Sequence, residues 1–188
     1  MAAMPEMTRK HPDMWLEPED DPRHPDDNTP RDERGTYIDY LRHYRLTLEL
    51  KCDGLTAEQM ATRSVPPSTM SLLGLVRHLA EVERGWFRRT LAGQEAPRLW
   101  GPPQQDADWL GAVGDDTCVE QAWAAWRQEV AFAEEWLRAQ PDVGQVIHDP
   151  RHGDLSVRDV IVHMIEEYAR HCGHADLLRE CIDGRTGQ

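Results

Sequence analysis

Four stretches of the chain repeat apolar residues at intervals of three and four, and this periodicity constrains the fold more than any other feature. The stretches cover residues 32–52, 71–91, 117–141 and 156–183, and the spacing is that of amphipathic helices. Each helix must bury its apolar side against another helix. The sequence therefore predicts an all-α fold, an antiparallel four-helix bundle with a long connection between the second and third helices.

End signals support these four helices. Gly54, Gly93 and Gly184 follow the first, second and fourth helices, where a glycine commonly terminates a helix. The third helix is predicted to begin with a capping box over residues 117–120, Thr-Cys-Val-Glu. We predict no β-strands, and residues 143–154 are expected to form a loop or a short extended piece.

The first 31 residues differ in composition from the rest of the chain. They are rich in proline, aspartate and glutamate, which disfavours a helix and leaves little apolar surface to bury. We predict an acidic, proline-rich arm over residues 1–31, which Trp15 and Leu16 could attach to the bundle. Residues 32–188 are expected to form one bundle domain, because a chain of 188 residues with 39% hydrophobic residues can build a single core.

The charge of the chain excludes some classes of partner. A formal net charge of −13 disfavours binding to nucleic acid or anionic membranes, which attract clustered Lys and Arg. No apolar run approaches the length of about 20 residues that spans a bilayer, and no signal-peptide core is present. The four cysteines have no C-x-x-C spacing. We expect a soluble, cytoplasmic protein with reduced thiols.

Metal-capable side chains are concentrated on the fourth helix. Glu167 and His171 are four residues apart, so their side chains stack on one helix face and can point at one ion. A helical wheel places His171 closest to the apolar side, and His163 and His174 toward solvent. The spacing alone also fits an exposed helix pair, and it does not decide whether His163 or His174 joins a site.

A third ligand is predicted on the second helix. His78 lies at the margin of its apolar stripe, although it could be an ordinary histidine at the edge of the core. Two imidazoles and one carboxylate suit Zn²⁺ or another divalent metal such as Ni²⁺ or Fe²⁺. Three protein ligands would leave one coordination position for water or substrate.

Glu83 falls inside the apolar stripe of the second helix, where an unpaired carboxylate is costly. Its simplest interpretation is a buried ion pair with an arginine of a neighbouring helix. The functional alternative is a partner of the metal ligands or a proton carrier.

Two segments carry a family resemblance. Residues 77–87, beginning Arg-His-Leu-Ala-Glu, and residues 162–179, with the signature Glu-Glu-Tyr-Ala-Arg-His at 166–171, resemble the DinB-like superfamily. They are most similar to its actinobacterial branch, which includes mycothiol-dependent maleylpyruvate isomerases with a His, Glu, His zinc site. The resemblance implies a four-helix bundle, often dimeric, with His78, Glu167 and His171 as the ligands.

The same resemblance implies a function. Characterised relatives use low-molecular-weight thiols, so we expect a zinc-dependent S-transferase that joins mycothiol or a similar thiol to an electrophilic small molecule. Tyr168 or Glu83 would orient groups or carry a proton. A thiol's carboxylate or a substrate anion would bind to nearby arginines, which are otherwise solvated surface charges: Arg77, Arg84, Arg88 and Arg170.

Two other functions remain open on the sequence. The same ligands would serve a non-catalytic metal-binding or small-molecule-binding stress protein. A mycothiol-dependent isomerase is a further alternative, disfavoured because the sequence has no counterpart of the extra C-terminal domain of those isomerases. We expect a homodimer in each case.

Overall fold

Six α-helices and one β-hairpin make up the part of the chain that the computed structural model describes, residues 11, 13–24, 29–102 and 105–188. The helices are α1 (Glu33–Cys52), α2 (Ala57–Ala61), α3 (Leu72–Glu83), α4 (Ala107–Leu110), α5 (Asp116–Ala139) and α6 (Val157–Asp183). A π-helical segment, Arg84–Leu91, continues α3. The four predicted helices are present, and the all-α bundle is confirmed.

Side-chain caps fix where the bundle helices begin. Asp32 caps α1, Ser71 caps α3, and Ser156 forms a capping box with Asp159 at the start of α6. The predicted capping box at residues 117–120 is wrong, because α5 begins earlier. The carboxylate of Asp115 accepts a hydrogen bond from the backbone N–H of Cys118 at 2.8 Å, and an aspartate caps a helix as well as a threonine does.

The contacts between helices show how the four long helices run. Along α1 and α6 the contacting positions rise together, from Tyr44 with Cys172 to Lys51 with Arg179, so these helices are parallel. The same holds for α3, with its π-helical continuation, and α5. Between the α1–α6 pair and the α3–α5 pair, the contacting positions run in opposite directions, so the two pairs are antiparallel to each other. The bundle therefore consists of two antiparallel layers, each a pair of parallel helices, and the long connection over residues 92–115 is what allows α5 to run parallel to α3.

A short β-hairpin precedes α6, where no strand was predicted. Strand β1 (Val146–Asp149) pairs antiparallel with β2 (Gly153–Ser156). Each strand has only four residues, too few to show a convincing alternation in the sequence. Gly153 has a φ of +80°, a conformation that glycine adopts without strain. The prediction of no strands is wrong here, and the expected extended piece is a hairpin.

The N-terminal segment packs against the bundle through Trp15. This side chain is 2% exposed, and its backbone N–H donates to the carbonyl of Gln188 at 2.9 Å. Three cations surround the indole ring: Lys51 Nζ and Arg185 Cζ lie 4.0 and 3.8 Å from its centre, and Arg179 Cζ lies 5.2 Å away. Cation–π attraction thus adds to burial at this contact. Residues 1–10, 12 and 25–28 of the predicted arm lie outside the described residues.

None of the helices in the described residues is long and apolar enough to cross a membrane.

A buried polar network connects all four long helices. Arg45 of α1 donates two hydrogen bonds of 2.8 Å to the carboxylate of Glu83 in α3. The hydroxyl of Tyr168 in α6 donates to the same carboxylate at 2.8 Å, and Trp126 of α5 donates its indole N–H to that hydroxyl at 2.8 Å. Burial and the neighbouring negative charge of Glu83 raise the pKa of Tyr168. The predicted ion pair of Glu83 with an arginine of another helix is confirmed.

Replacement of Glu83 by Gln should destabilise the protein by about 3–5 kcal/mol, because the guanidinium of Arg45 would keep its charge in the core without its partner. The matched control is Glu134→Gln, since the carboxylate of Glu134 lies 3.8 Å from Arg45 but is 51% exposed; this change should cost less than about 1 kcal/mol. Urea unfolding of both variants measures the difference. Equal losses in the two variants would contradict the assignment.

Candidate metal centre

Three of the predicted site residues meet between α3 and α6. One ligand-capable atom from each of His78, Glu167 and His171 lies within 4.8 Å of the other two. The Nε2 atoms of His78 and His171 lie 3.3 and 3.5 Å from Oε1 of Glu167. Two imidazole nitrogens and a carboxylate oxygen therefore face a common point, the arrangement that a divalent cation requires.

The helix packing explains why these side chains converge. Tyr168 points into the core and binds Glu83 of α3, so the preceding residue of α6, Glu167, faces the margin between the two helices. His171 follows one turn later and is 8% exposed, whereas His163 and His174 are only half-buried. The prediction that His171 is the most inward histidine of the helix is confirmed.

Asp108 of α4 contacts the remote side of the His78 ring. Its carboxylate Oδ2 lies 3.2 Å from Nδ1 of His78, so we assign the ring proton to Nδ1, where it donates to the carboxylate. Nε2 faces Glu167, and once Nε2 gives up its own proton its lone pair is free to bind a metal ion. A carboxylate behind a histidine is the usual means of orienting a histidine that binds metal.

The short helix α4 is held in place by its neighbours on α3. Trp109 stacks on the His78 ring, with 4.9 Å between ring centres and 26° between planes. It fits because residue 74 is glycine: a Cβ there would lie 2.8 Å from the indole ring. Arg77 donates to the carbonyls of Ala107 and Asp108 at 2.9 and 3.0 Å. The predicted ligand-binding arginine at position 77 is thus used to hold α4.

Asp108 and Trp109 show what the sequence could not reveal about the site. Both lie in the long connection between the second and third predicted helices, where a four-residue helix has no periodicity to detect. Trp109 attaches this connection to the bundle as a half-buried side chain packed against the core. No signal in the sequence related Asp108 to His78.

The charges within the cluster stabilise one another. Burial lowers the pKa of His78, but hydrogen bonds and charge attraction from Asp108 and Glu167 outweigh it and raise that pKa to about 8. Hydrogen bonds from His171 and His78 lower the pKa of the Glu167 carboxyl well below its usual range. Near neutral pH the cluster therefore combines an ionised Glu167 carboxylate with a His78 ring that is protonated on both nitrogens. A bound cation could replace the proton on Nε2.

The other predicted arginines bind carboxylates elsewhere. Arg84 donates to Glu129 of α5 at 2.8 Å, and Arg88 binds the same carboxylate. Arg170 pairs with Glu166 on the exposed face of α6. Among the described residues, these three guanidinium groups therefore bind Glu129 or Glu166, and none of the three contacts is to the ligand cluster. Arg170 alone is the solvated surface charge that the sequence allowed.

Tyr168 and Glu83 lie in the core and bind each other. Both side chains are fully buried, so neither hydroxyl nor carboxylate is in contact with solvent. Their connection to the cluster runs through α6 and α3, which also carry Glu167 and His78.

The two additional histidines of α6 differ in position. His174 Nδ1 lies 3.3 Å from Nδ1 of His171, on the side of that ring away from Glu167. Burial and the nearby charges of His171 and Arg170 lower the pKa of His174, which suits an acceptor for the N–H of His171. His163 instead packs on Trp86, with 4.7 Å between ring centres. Among the described residues, the group of metal-capable atoms contains three side chains.

Comparison with solved structures supports the fold. A crystal structure of a conserved protein from Enterococcus faecalis superposes with a TM-score of 0.58 at 14% sequence identity, covering 83% of this chain and 100% of that one. At this identity the likeness shows the fold alone. No curated protein matches the chain.

Comparison with protein families is more specific. The family model for mycothiol-S-transferase matches residues 36–184, a range that contains all four long helices apart from the first residues of α1. It also contains the cluster of His78, Glu167 and His171. The DinB-like resemblance is thereby confirmed, and the chain belongs to the mycothiol-S-transferase family.

Proposed function

We propose that this protein is a zinc-dependent S-transferase that joins mycothiol, or a similar low-molecular-weight thiol, to an electrophilic small molecule. The observation that carries the proposal is the convergence of His78, Glu167 and His171 within 4.8 Å, in a chain of the mycothiol-S-transferase family. The donor set fits Zn²⁺, and Ni²⁺ or Fe²⁺ would accept the same ligands.

The surroundings of the three residues fit a catalytic metal better than a closed structural one. Structural zinc is usually held by four protein ligands, whereas catalytic zinc has three and an open position. The side chains of His78 and Glu167 keep 23% and 17% of their exposure, so a small thiol can approach the cluster. Asp108 supplies the carboxylate behind His78 that such centres commonly have.

A bound zinc ion would lower the pKa of a thiol and so favour its nucleophilic thiolate form. In the overall reaction the thiol loses its proton to solvent and its sulfur forms a bond to an electrophilic carbon. In a substitution the displaced group leaves with the electron pair, and in an addition to an unsaturated carbon the neighbouring carbon takes up a proton. His78 and His171 would bind as neutral imidazoles through Nε2, Asp108 would hold the Nδ1 proton of His78, and the charge of Glu167 would offset part of the charge of the ion.

The other predicted roles are now more specific proposals. We propose that Tyr168 and Glu83 orient α6 and α3, and that Arg77 and Arg84 stabilise α4 and α5. Arg170 remains the member of the predicted set whose exposed position would allow it to meet a ligand. We also propose a cytoplasmic homodimer, and light scattering of the purified protein tests the dimer.

We expect the purified protein to bind about one Zn²⁺ or Co²⁺ per chain. His171→Ala should abolish this binding, whereas the matched control His163→Ala, on the same helix but packed on Trp86, should retain it. Mycothiol added to the cobalt form should produce a new sulfur-to-cobalt absorption band. A non-catalytic binding protein would instead hold the metal with no response to the thiol, and that result would exclude the transferase.

Replacement of Asp108 by Asn should weaken zinc affinity by roughly 10- to 100-fold, because loss of a carboxylate behind a ligating histidine has effects of this size. Asp106→Asn is the matched control, since Asp106 is an exposed residue that directly precedes α4 and whose side chain makes no cap hydrogen bond to the helix. Competition with a chromophoric chelator measures both affinities. Equal affinities in the two variants would show that Asp108 does not support the centre.

Zinc uptake should release protons in a way that depends on pH. The raised pKa of His78, about 8, means that the metal-free site is mostly protonated at pH 7 and that zinc displaces about one proton there. Above pH 8 the release should fall toward zero, and the apparent affinity should rise with pH up to that value. Calorimetry in buffers of different ionisation enthalpy counts the protons. Metal uptake at pH 7 without proton release would contradict the pairing of His78 with the two carboxylates.

A further inference from the structure

A cleft of about 270 Å³ opens directly beside His78. Its lining comes from α3, the π-helical segment, the connection that includes α4, and the loop of the β-hairpin. We call it the arginine cleft and define it by six of its lining residues: His78, Trp86, Arg89, Arg98, Arg151 and His152. The cleft thus reaches from a ligand of the proposed metal to a set of cationic side chains.

Guanidinium groups are the more exposed charged groups of the cleft, although the chain as a whole is strongly acidic. Its lining includes three arginines and two carboxylates, while the whole chain has a net charge of −13. One carboxylate, Asp108, is bound to His78, and the other, Glu81, pairs with Arg89 at 2.6 Å. Asp149, which pairs with Arg151, balances the third arginine, but Glu81 and Asp149 are only 5% and 4% exposed. The more exposed charged groups of the cleft are therefore guanidinium groups, which favour an anionic ligand.

Two of the guanidinium groups are accessible to such a ligand. The side chain of Arg98 is 36% exposed, and its ion pair with Glu81 is long, at 3.6 Å. The side chain of Arg151 is 56% exposed and is held at one end of the cleft by Asp149 at 3.2 Å and by the hydroxyl of Thr90 at 3.1 Å. A guanidinium has five N–H donors, so these contacts leave donors for a carboxylate.

Two aromatic side chains, Trp86 and His152, also line the cleft. The rings of Trp86 and His152 lie 4.9 Å apart, with 30° between their planes. The π-helical segment carries Trp86 and Arg89, and π-helical turns occur frequently at functional sites. Gly85 also lines the cleft, and a Cβ at this position would lie 3.1 Å from a terminal nitrogen of Arg89.

We propose that the arginine cleft binds the electrophilic substrate through an anionic group, a carboxylate, and places its reactive carbon beside His78. This inference rests on the proposed transferase function, because the molecule bound in the cleft is the electrophile to which the thiol sulfur would be joined. The volume of about 270 Å³ lies just below the usual range of ligand pockets, which suits a small planar carboxylate and not a sugar-linked thiol. The substrate class is therefore a small unsaturated or aromatic carboxylic acid with an electrophilic carbon.

The test measures binding of benzoate and of its neutral analogue benzamide to the zinc-loaded full chain by calorimetry, without thiol. Arg98→Gln and Arg151→Gln should each weaken benzoate binding by roughly threefold or more, because each removes a charge-assisted donor. The matched control is Arg127→Gln, an exposed arginine of α5 outside the cleft. Benzamide should bind more weakly than benzoate to the unchanged protein.

The inference is overturned if benzoate fails to bind, or if its affinity changes by less than about threefold in both cleft variants. The second result includes the case in which benzoate binds the zinc ion alone. Because the cobalt titration with mycothiol is a separate measurement, a protein that binds benzoate through these arginines but shows no thiol band would lose the transferase assignment and keep the anion site.

Discussion

The buried network of Arg45, Glu83, Trp126 and Tyr168 is the interaction on which the rest of the structure depends. Each residue comes from a different long helix, so the hydrogen bonds fix the relative position of all four. An ion pair in a core offers little net stabilisation over apolar packing, but breaking it is costly. Such a network therefore selects one arrangement of the helices over others. Since Tyr168 binds Glu83, the neighbouring Glu167 is directed toward α3.

The candidate centre has two layers of support. The bundle sets the distance between the helices that carry His78 and His171, and the connection over residues 92–115 adds α4 on top. From that position Asp108 orients the His78 ring and Trp109 covers it. The connection that appears irregular in the sequence thus completes the site. It also provides the chain length that a parallel α3 and α5 require.

Periodicity was sufficient to predict much of this from the sequence. Long amphipathic helices show a strong hydrophobic periodicity and recognisable capping residues. The helical wheel of the fourth helix separated His171 from the histidines that lie toward solvent. The i, i+4 spacing paired Glu167 with His171, and the family resemblance then favoured a metal site over an exposed helix pair. Three elements were not predicted, because they are too short to show a hydrophobic periodicity or depend on tertiary contacts. They are the four-residue helix with Asp108, the short strands of the hairpin, and the π-helical segment. The buried partners of Arg77 and Arg84 are likewise visible only when the helices are packed.

The central claim is that His78, Glu167 and His171 hold one metal ion whose remaining position accepts a thiol. X-ray absorption at the zinc edge tests it most directly. For the zinc-loaded protein the account predicts a first shell of nitrogen and oxygen only, including two imidazoles. On addition of mycothiol it predicts one sulfur neighbour at about 2.3 Å. An unchanged nitrogen and oxygen shell in the presence of the thiol, or a shell without two imidazoles, would contradict the account.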